Sequence, residues 1–412
     1  MAGLNKYLIR RPIYILVLLN IFFFNLVQFY HGFEDFTILV TGGLLTLLMV
    51  ICYYLIVKLN MGDQYIFLIM SILSSLGIVM LYRLIPPLGF QQVTWFGLGT
   101  ILYFLSYIVF KWIKNWDQYT YFYLAAGILL FIITFVFGTT IKGATNWIQI
   151  GGHTFQPAEG IKILFVFFIA SYFKYPEKLK NTYVFLGFVY LHIMFLVLQR
   201  DMGMVMLFYS VFISIYYIYH SDRKLLFYNI GASILIGIFS YFTMTHVQIR
   251  LETWLNPWRD IAGRGYQITQ SLFAIASGGF FGTGLGLGRP DYIPEVHTDF
   301  IFSAICEELG VFGGIAVILL YFILVYRGFK ITLMTRDIFD KIIALSITLI
   351  YSYQTFIIIG GVVKLIPLTG ITLPFISYGG SSMVSAFVAF GILQALSKKS
   401  LEGEGVVEIE QS

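Results

Sequence analysis

The chain has 412 residues, of which 58% are hydrophobic and 11% charged, with a net charge of +5 and a mean hydropathy of +0.83. A soluble domain carries roughly 25% charged residues, so this composition excludes a soluble globular protein and fits a polytopic membrane protein. Two cysteines, Cys52 and Cys306, exclude a disulfide framework and a cysteine metal cluster, and neither a nucleic-acid partner nor an organic cofactor is expected.

Apolar runs long enough to cross a bilayer recur from end to end. Polar breaks divide them into about twelve spans, near 12–30, 36–57, 64–83, 92–110, 118–139, 157–173, 182–199, 202–219, 225–244, 301–326, 341–363 and 372–396. The fold class read from this pattern is an all-α membrane bundle with a long extracytoplasmic loop between helices nine and ten. The first run follows Lys6, Arg10 and Arg11 and lacks a small-residue cleavage site, so it is read as a retained helix. Lysines and arginines concentrate on alternate connections, among them Lys111, Lys114, Lys174, Lys178, Arg223, Lys224 and Arg327. By the positive-inside rule both termini are then cytoplasmic. The terminal "EGEGVVEIEQS" is acidic and expected to be disordered.

Three stretches collect the informative polar residues. The first, "GATNWIQIGGHTFQPAEGIK" (143–162), leads into span six, with Pro157 suited to a helix first turn. Glu159 and Lys162 lie three residues apart on one face, either as a charge-neutralising pair joining helices or as support for a site. The second is the loop near 245–300. It contains Arg250, Arg259, Arg264, Gln270, Arg289 and an apolar segment, 265–279, that reads as an amphipathic helix. Its arginines suit lipid headgroups or an anionic substrate. The run "GTGLGLG" follows no strand and precedes no Gly-Lys-Ser/Thr, so a nucleotide site is not indicated. Its glycines either permit tight turns or form a backbone anion nest.

The third is "KLIPLTGITLPFISYGGSSM" (364–383), where Lys364, Ser377, Gly379, Gly380 and Ser381 accompany helix breakers. Non-helical backbone at membrane depth is tolerated only where protein covers it or water reaches it.

Between these, "PEVHTDFIFSAICEELG" places His297 and Asp299 at the start of span ten. A helix beginning near Thr298 would set Asp299 in its first turn, at the positive end of the helix dipole. Asp299 there is either a general base or simply a helix cap.

These residues resemble the SEDS family, the shape, elongation, division and sporulation proteins. The resemblance runs from about Met80 to Lys398. It rests on "GIVMLYRL" with "QQVTWF", "GATNWIQIGGHTFQPAEGIK", "LNPWRDIAGRGYQITQSLFAIASGGFFGTGLGLG", "IPEVHTDFIFSAICEELG" and "LPFISYGGSS". It implies a peptidoglycan glycosyltransferase that polymerises lipid II at the outer face of the cytoplasmic membrane. Asp299 would take the proton from the acceptor hydroxyl, undecaprenyl pyrophosphate would leave, and the anomeric configuration would invert. Glu159 and Lys162 would match the family's buried pair. Arginines of the long loop, Lys364 and a divalent cation, Mg2+ or Mn2+, are candidates for charge stabilisation, and a class B penicillin-binding protein is the expected partner. A lipid II flippase is the competing reading.

Three features depart from the pattern. Residues 1–62 add two helices ahead of a core spanning 63–398, which the tail 399–412 follows. Asn146–Trp147 stands where many members have Arg-Trp, and "QRDMG" places Arg200 where a proline is frequent.

Overall fold

The computed structural model describes residues 11–33, 36–141, 143–179 and 181–410. Each of the twelve expected spans overlaps a helix, the twelfth, expected from residue 372, becoming helical only at Gly380. They are α1 (Arg11–His31), α2 (Thr37–Lys58), α3 (Gln64–Leu84), α4 (Pro86–Trp112), α5 (Thr120–Phe137), α6 (Pro157–Lys174), α7 (Thr182–Leu198), α8 (Met202–Tyr219) and α9 (Arg223–Thr243). Two shorter helices, α10 (Thr245–Leu255) and α11 (Tyr266–Gly278), lie in the long loop. After it come α12 (Ile301–Met334), α13 (Ile338–Val362) and α14 (Gly380–Glu410). Among the described residues, ten helices are long and apolar enough to cross a membrane. The apolar α7 is just short of that, and α6 carries Glu159, Lys162 and Lys174. The chain is a multi-pass membrane protein.

Polar residues between the spans start the helices. The carboxylates of Asp63, Asp201, Asp222 and Asp337, and the Asn181 amide oxygen, each accept an N–H from the first turn that follows. Such caps satisfy donors that a helix cannot pair for itself. Pro86 and Pro157 occupy first-turn positions whose N–H groups would be unpaired anyway.

Two features differ from the sequence reading. Residues 139–155 form a small antiparallel sheet, β1 (Thr139–Ile141), β2 (Ala144–Ile150) and β3 (His153–Phe155), in the order β1-β2-β3. Gly151 and Gly152, both with positive φ, supply the β2–β3 turn, as two-residue hairpin turns require. At the other end, α14 continues to Glu410, so the tail expected to be disordered is helical up to that residue.

The chain divides into two compact units that alternate along the sequence. The first gathers the described residues of Met1–Lys114, Ala274–Arg336 and Thr372–Ser412. Within it α14 packs along α4, while α3 contacts α1, α4 and α12. The second comprises Asn115–Phe273 and Asp337–Ile371. There α6 lies against α5 and α13, and α8 against α7 and α13. Its core is aromatic, with Phe165, Phe168, Phe185, Phe208 and Phe212 all buried.

In the first unit, α12 breaks at Gly310 (φ 72°, ψ −176°). The carbonyls freed by the break are taken up by the glycine-rich loop: Thr283 N–H donates to Glu307 O (2.9 Å) and Gly284 N–H to Glu308 O (3.0 Å). Val311 N–H in turn donates to Gly279 O (2.9 Å). A Cβ on Gly278, Gly282 or Gly310 would run into the opposing backbone. Gly282 of the "GTGLGLG" run therefore serves close backbone approach, and the N–H groups of Thr283 and Gly284 are spent on α12 rather than on an anion nest.

Gly310→Ala is expected to destabilise the protein by about 1–3 kcal/mol, the cost of a non-glycine residue forced into a sparsely allowed conformation. Gly43→Ala, at a helical position with open space around it, should be neutral or stabilising by up to about 1 kcal/mol. Thermal unfolding of both variants in one detergent tests the contrast, and equal midpoints would contradict it.

Candidate active site

Asp299 does not lie in a helical first turn. α12 begins at Ile301 with Phe300 at the cap position, so Asp299 ends a run of turns just ahead of the helix. Thr298 does not cap it either, because its hydroxyl donates back to Glu295 O (3.2 Å). The same carbonyl accepts the N–H groups of Thr298 and Asp299, both at 3.1 Å. Pro294 precedes Glu295, which adopts a left-handed φ of 59°. Asp299 is half-buried.

A second turn is fastened to the first. In "LPFI", Phe375 has φ 67° after Pro374, and Ile376 N–H closes onto Leu373 O (3.2 Å). This is a type II geometry that normally calls for glycine after the proline. Left-handed φ at bulky residues is unfavourable and persists only where the surroundings hold it. Buried Ser377 donates its hydroxyl to Thr298 O (2.5 Å) and accepts Leu373 N–H (2.9 Å). Tyr378 N–H donates to His297 O (2.9 Å). Both residues immediately before Asp299 are thus gripped through their carbonyls.

α4 backs this assembly. The buried Gln92 amide donates to Ser377 O (3.1 Å) and accepts Gly379 N–H (3.4 Å), while Gln91 accepts the Tyr378 hydroxyl (2.6 Å). Gly380, the first residue of α14, sits against the Trp95 indole with no room for a side chain. Ser381 is buried beside it in the α14 first turn. The imidazole of His297 is 3.8 Å from the Glu295 carboxylate and its ring centre is 6.2 Å from that of Tyr378. Six of the expected residues, His297, Asp299, Ser377, Gly379, Gly380 and Ser381, therefore gather in one part of the first unit, the first four through hydrogen bonds and the last two by packing.

The remaining expected residues lie in the second unit. Glu159 and Lys162 form a fully buried ion pair at 2.6 Å, and the ammonium also reaches Gln354 (3.4 Å) and the Tyr351 ring (5.1 Å from its centre). Nearby, the carboxylate of half-buried Asp201 accepts from Asn146 (2.8 Å), Gln156 (2.7 Å) and Met204 N–H (3.1 Å). Burial pushes the Asp201 carboxyl up from the ordinary range, against the three donors that favour its anion. Arg250 donates to Thr369 O (2.8 Å), and the Lys364 carbonyl accepts from Trp254 (3.2 Å). Arg259 and Arg264 are exposed, Arg264 lying 4.0 Å from Glu252, and Gln270 is half-buried on α11.

Sequence reasoning did not single out Arg83. It is buried in the last turn of α3 and pairs with Glu308 and Asp291. A lone arginine inside an apolar run was the available signal, since intramembrane charges pair inside the protein. Asn146 and Asp201 were noted separately, and only folding reveals them as partners. Among the described residues no three His, Cys, Asp or Glu side chains are placed to share an ion.

Removing one partner of a buried pair strands the other charge, at a cost of about 3–5 kcal/mol. Lys162→Met alone is therefore expected to lower stability severely, and the combined Glu159→Gln, Lys162→Met variant to recover much of that loss. Thermal unfolding of the two proteins tests this, and a double variant no better than the single one would refute it.

The model of the FtsW/RodA/SpoVE family, described as "Cell cycle protein", matches residues 63–402. The chain is 33% identical over 366 residues to the peptidoglycan glycosyltransferase RodA of Mycobacterium tuberculosis, covering 81% of this chain and 78% of that protein. It is 32% identical over 366 residues to the stage V sporulation protein E of Bacillus subtilis, covering 83% and 99% respectively. In fold it is similar to a chain of a peptidoglycan synthase complex, with a TM-score of 0.71, 24% identity, and coverage of 82% of this chain and 98% of that one. It is also similar to the rod shape determining protein RodA of Thermus thermophilus, with a TM-score of 0.61, 23% identity, and coverage of 82% and 97%. The chain belongs to the FtsW/RodA/SpoVE family of cell cycle proteins.

Proposed function

We propose that this chain is a peptidoglycan glycosyltransferase that polymerises lipid II, with Asp299 as the general base. The observation that carries the reading is the double grip on the Asp299 turn, through Ser377 to Thr298 O and through Tyr378 to His297 O. A base must be held in register with the hydroxyl it deprotonates. Twin proline turns, both locked in left-handed conformations, provide that rigidity. The glycosyltransferase names of the relatives give the same reaction class.

In the proposed reaction an acceptor sugar hydroxyl attacks the anomeric carbon of the donor while Asp299 takes its proton. The bond to the pyrophosphate breaks on the opposite side, and the configuration inverts. Because pyrophosphate is already a good leaving group, the site has mainly to balance developing negative charge. Asp299 stands just ahead of the α12 N-terminus, whose unpaired N–H groups carry partial positive charge. Arg250, Arg259, Arg264 and Lys364 are the candidate cations for the lipid-linked pyrophosphate. A divalent cation belongs to the proposal only as a counter-ion of that pyrophosphate, because Mg2+ commonly binds phosphates with few protein ligands.

The distribution of Lys and Arg supports cytoplasmic termini and an Asp299 turn on the outer face. A cross-linking transpeptidase of the class B penicillin-binding type is the proposed partner. Support comes from the likeness to a chain of a synthase complex that coordinates polymerisation and crosslinking.

The test is lipid II polymerisation by the purified chain, with and without such a partner. Asp299→Asn should lose activity by roughly 10²–10⁴-fold, the usual contribution of a positioned base, while remaining folded. Ser377→Ala should lose less, about tenfold for each 1.4 kcal/mol of lost positioning. Glycan strands from Asp299→Asn at the wild-type rate would remove Asp299 from the chemistry. Lipid II translocation without polymer by the unmodified chain would instead favour the flippase reading.

A further inference from the structure

The helices α1 and α2 lie outside the matched residues 63–402, and the reaction above gives them no task. The surroundings of Arg83 supply one. Its guanidinium is buried, with Nε 2.5 Å from Glu308 Oε1, Nη1 3.3 Å from both Asp291 oxygens and Nη2 2.8 Å from Gly288 O. One side chain thus grips the chain at residue 291 and again at residue 308, and Asp299 lies near the middle of the segment between. The second grip falls just before the Gly310 break, so the segment 301–309 is not fixed by continuity with the rest of α12. A planar guanidinium can hold several partners at set angles, which an ammonium cannot.

α1 closes this cluster from one side. The Tyr30 ring centre is 5.3 Å from the Arg83 guanidinium carbon, a cation–π distance. Gly286, in the glycine-rich loop, lies so close to the same ring that a Cβ would collide with it. His31 Nε2 is 3.0 Å from Tyr82 O, fastening the end of α1 beside Arg83. Glu307 completes the tie by accepting Arg289 N–H at 2.7 Å.

We propose that α1 and the Arg83–Glu308–Asp291 cluster form a positioning clamp for Asp299, in which Arg83 fixes both ends of the segment and Tyr30 seals the guanidinium in place. Arg83 and Tyr30 are positioning residues and do not touch substrate. The kinetic part of this inference rests on Asp299 being the base.

The full-length protein is purified as wild type, Arg83→Lys, Tyr30→Ala, Tyr30→Phe and Asp299→Asn. Lipid II polymerisation gives kcat and KM, and hydrogen exchange gives the protection of residues 294–300. Arg83→Lys should lower kcat about tenfold or more with KM changed less than about twofold, the signature of lost alignment rather than lost binding. Tyr30→Ala should fall in the same sense and Tyr30→Phe should match wild type, because only the ring is required. Exchange at 294–300 should accelerate in Arg83→Lys and Tyr30→Ala but not in Asp299→Asn. Wild-type kcat in folded Arg83→Lys, a loss confined to KM, or unchanged exchange at 294–300 would each overturn the clamp. If Arg83→Lys does not fold, equal kcat for Tyr30→Ala and Tyr30→Phe overturns it. Normal turnover by Asp299→Asn would defeat the base assignment, while the exchange data would still decide the clamp.

Discussion

Every interruption of a helix inside a membrane protein must find its hydrogen-bond partners within the protein. Much of what distinguishes this structure follows from that constraint. Where α12 stops at Gly310, the released carbonyls of Glu307 and Glu308 are met by Thr283 and Gly284. Where the chain leaves helical form at 372–379, Ser377, Tyr378 and Gln92 take up the exposed groups. The bonds that repair these two breaks also fix the backbone on either side of Asp299. Repair of the backbone and placement of the candidate base are the same set of contacts.

Buried charge obeys a parallel rule. An ion taken out of water must be paired, and the pair is retained even where an apolar replacement would be as stable. The first unit buries Arg83 with Glu308, and the second buries Lys162 with Glu159. Both pairs sit at helix ends close to irregular backbone. Asp201 is held differently, by neutral donors from Asn146 and Gln156. That arrangement satisfies the Asp201 carboxyl group without supplying a counter-charge, and it gives Asn146 a defined task.

The helices were legible because hydrophobic length and polar caps are local signals. Asp63, Asn181, Asp201, Asp222 and Asp337 each announce a helix start within a few residues. The sheet at 139–155 was overlooked although Gly151–Gly152 between two short polar-apolar runs is a hairpin signal. That stretch was read only as a polar connection leading into span six. Asp299 was found as a residue but misplaced as an environment. Its turn depends on left-handed Glu295 and on bonds from residues 377 and 378, which no local pattern encodes. Partnerships of long sequence separation, such as Arg83 with Asp291 and Glu308, appear only after folding.

The alternation of the two units along the chain carries a consequence in time. The second unit has all of its segments once residue 371 has been made. The unit holding Asp299 does not, because the Ser377 turn and α14, which packs along α4, are still to be made at that point. During insertion the Asp299 turn therefore waits for its bonds from Ser377 and Tyr378 while about eighty residues are translated, at about 5–20 residues per second. A chain interrupted before residue 377 therefore lacks both bonds, from Ser377 and from Tyr378, that hold the backbone just ahead of Asp299.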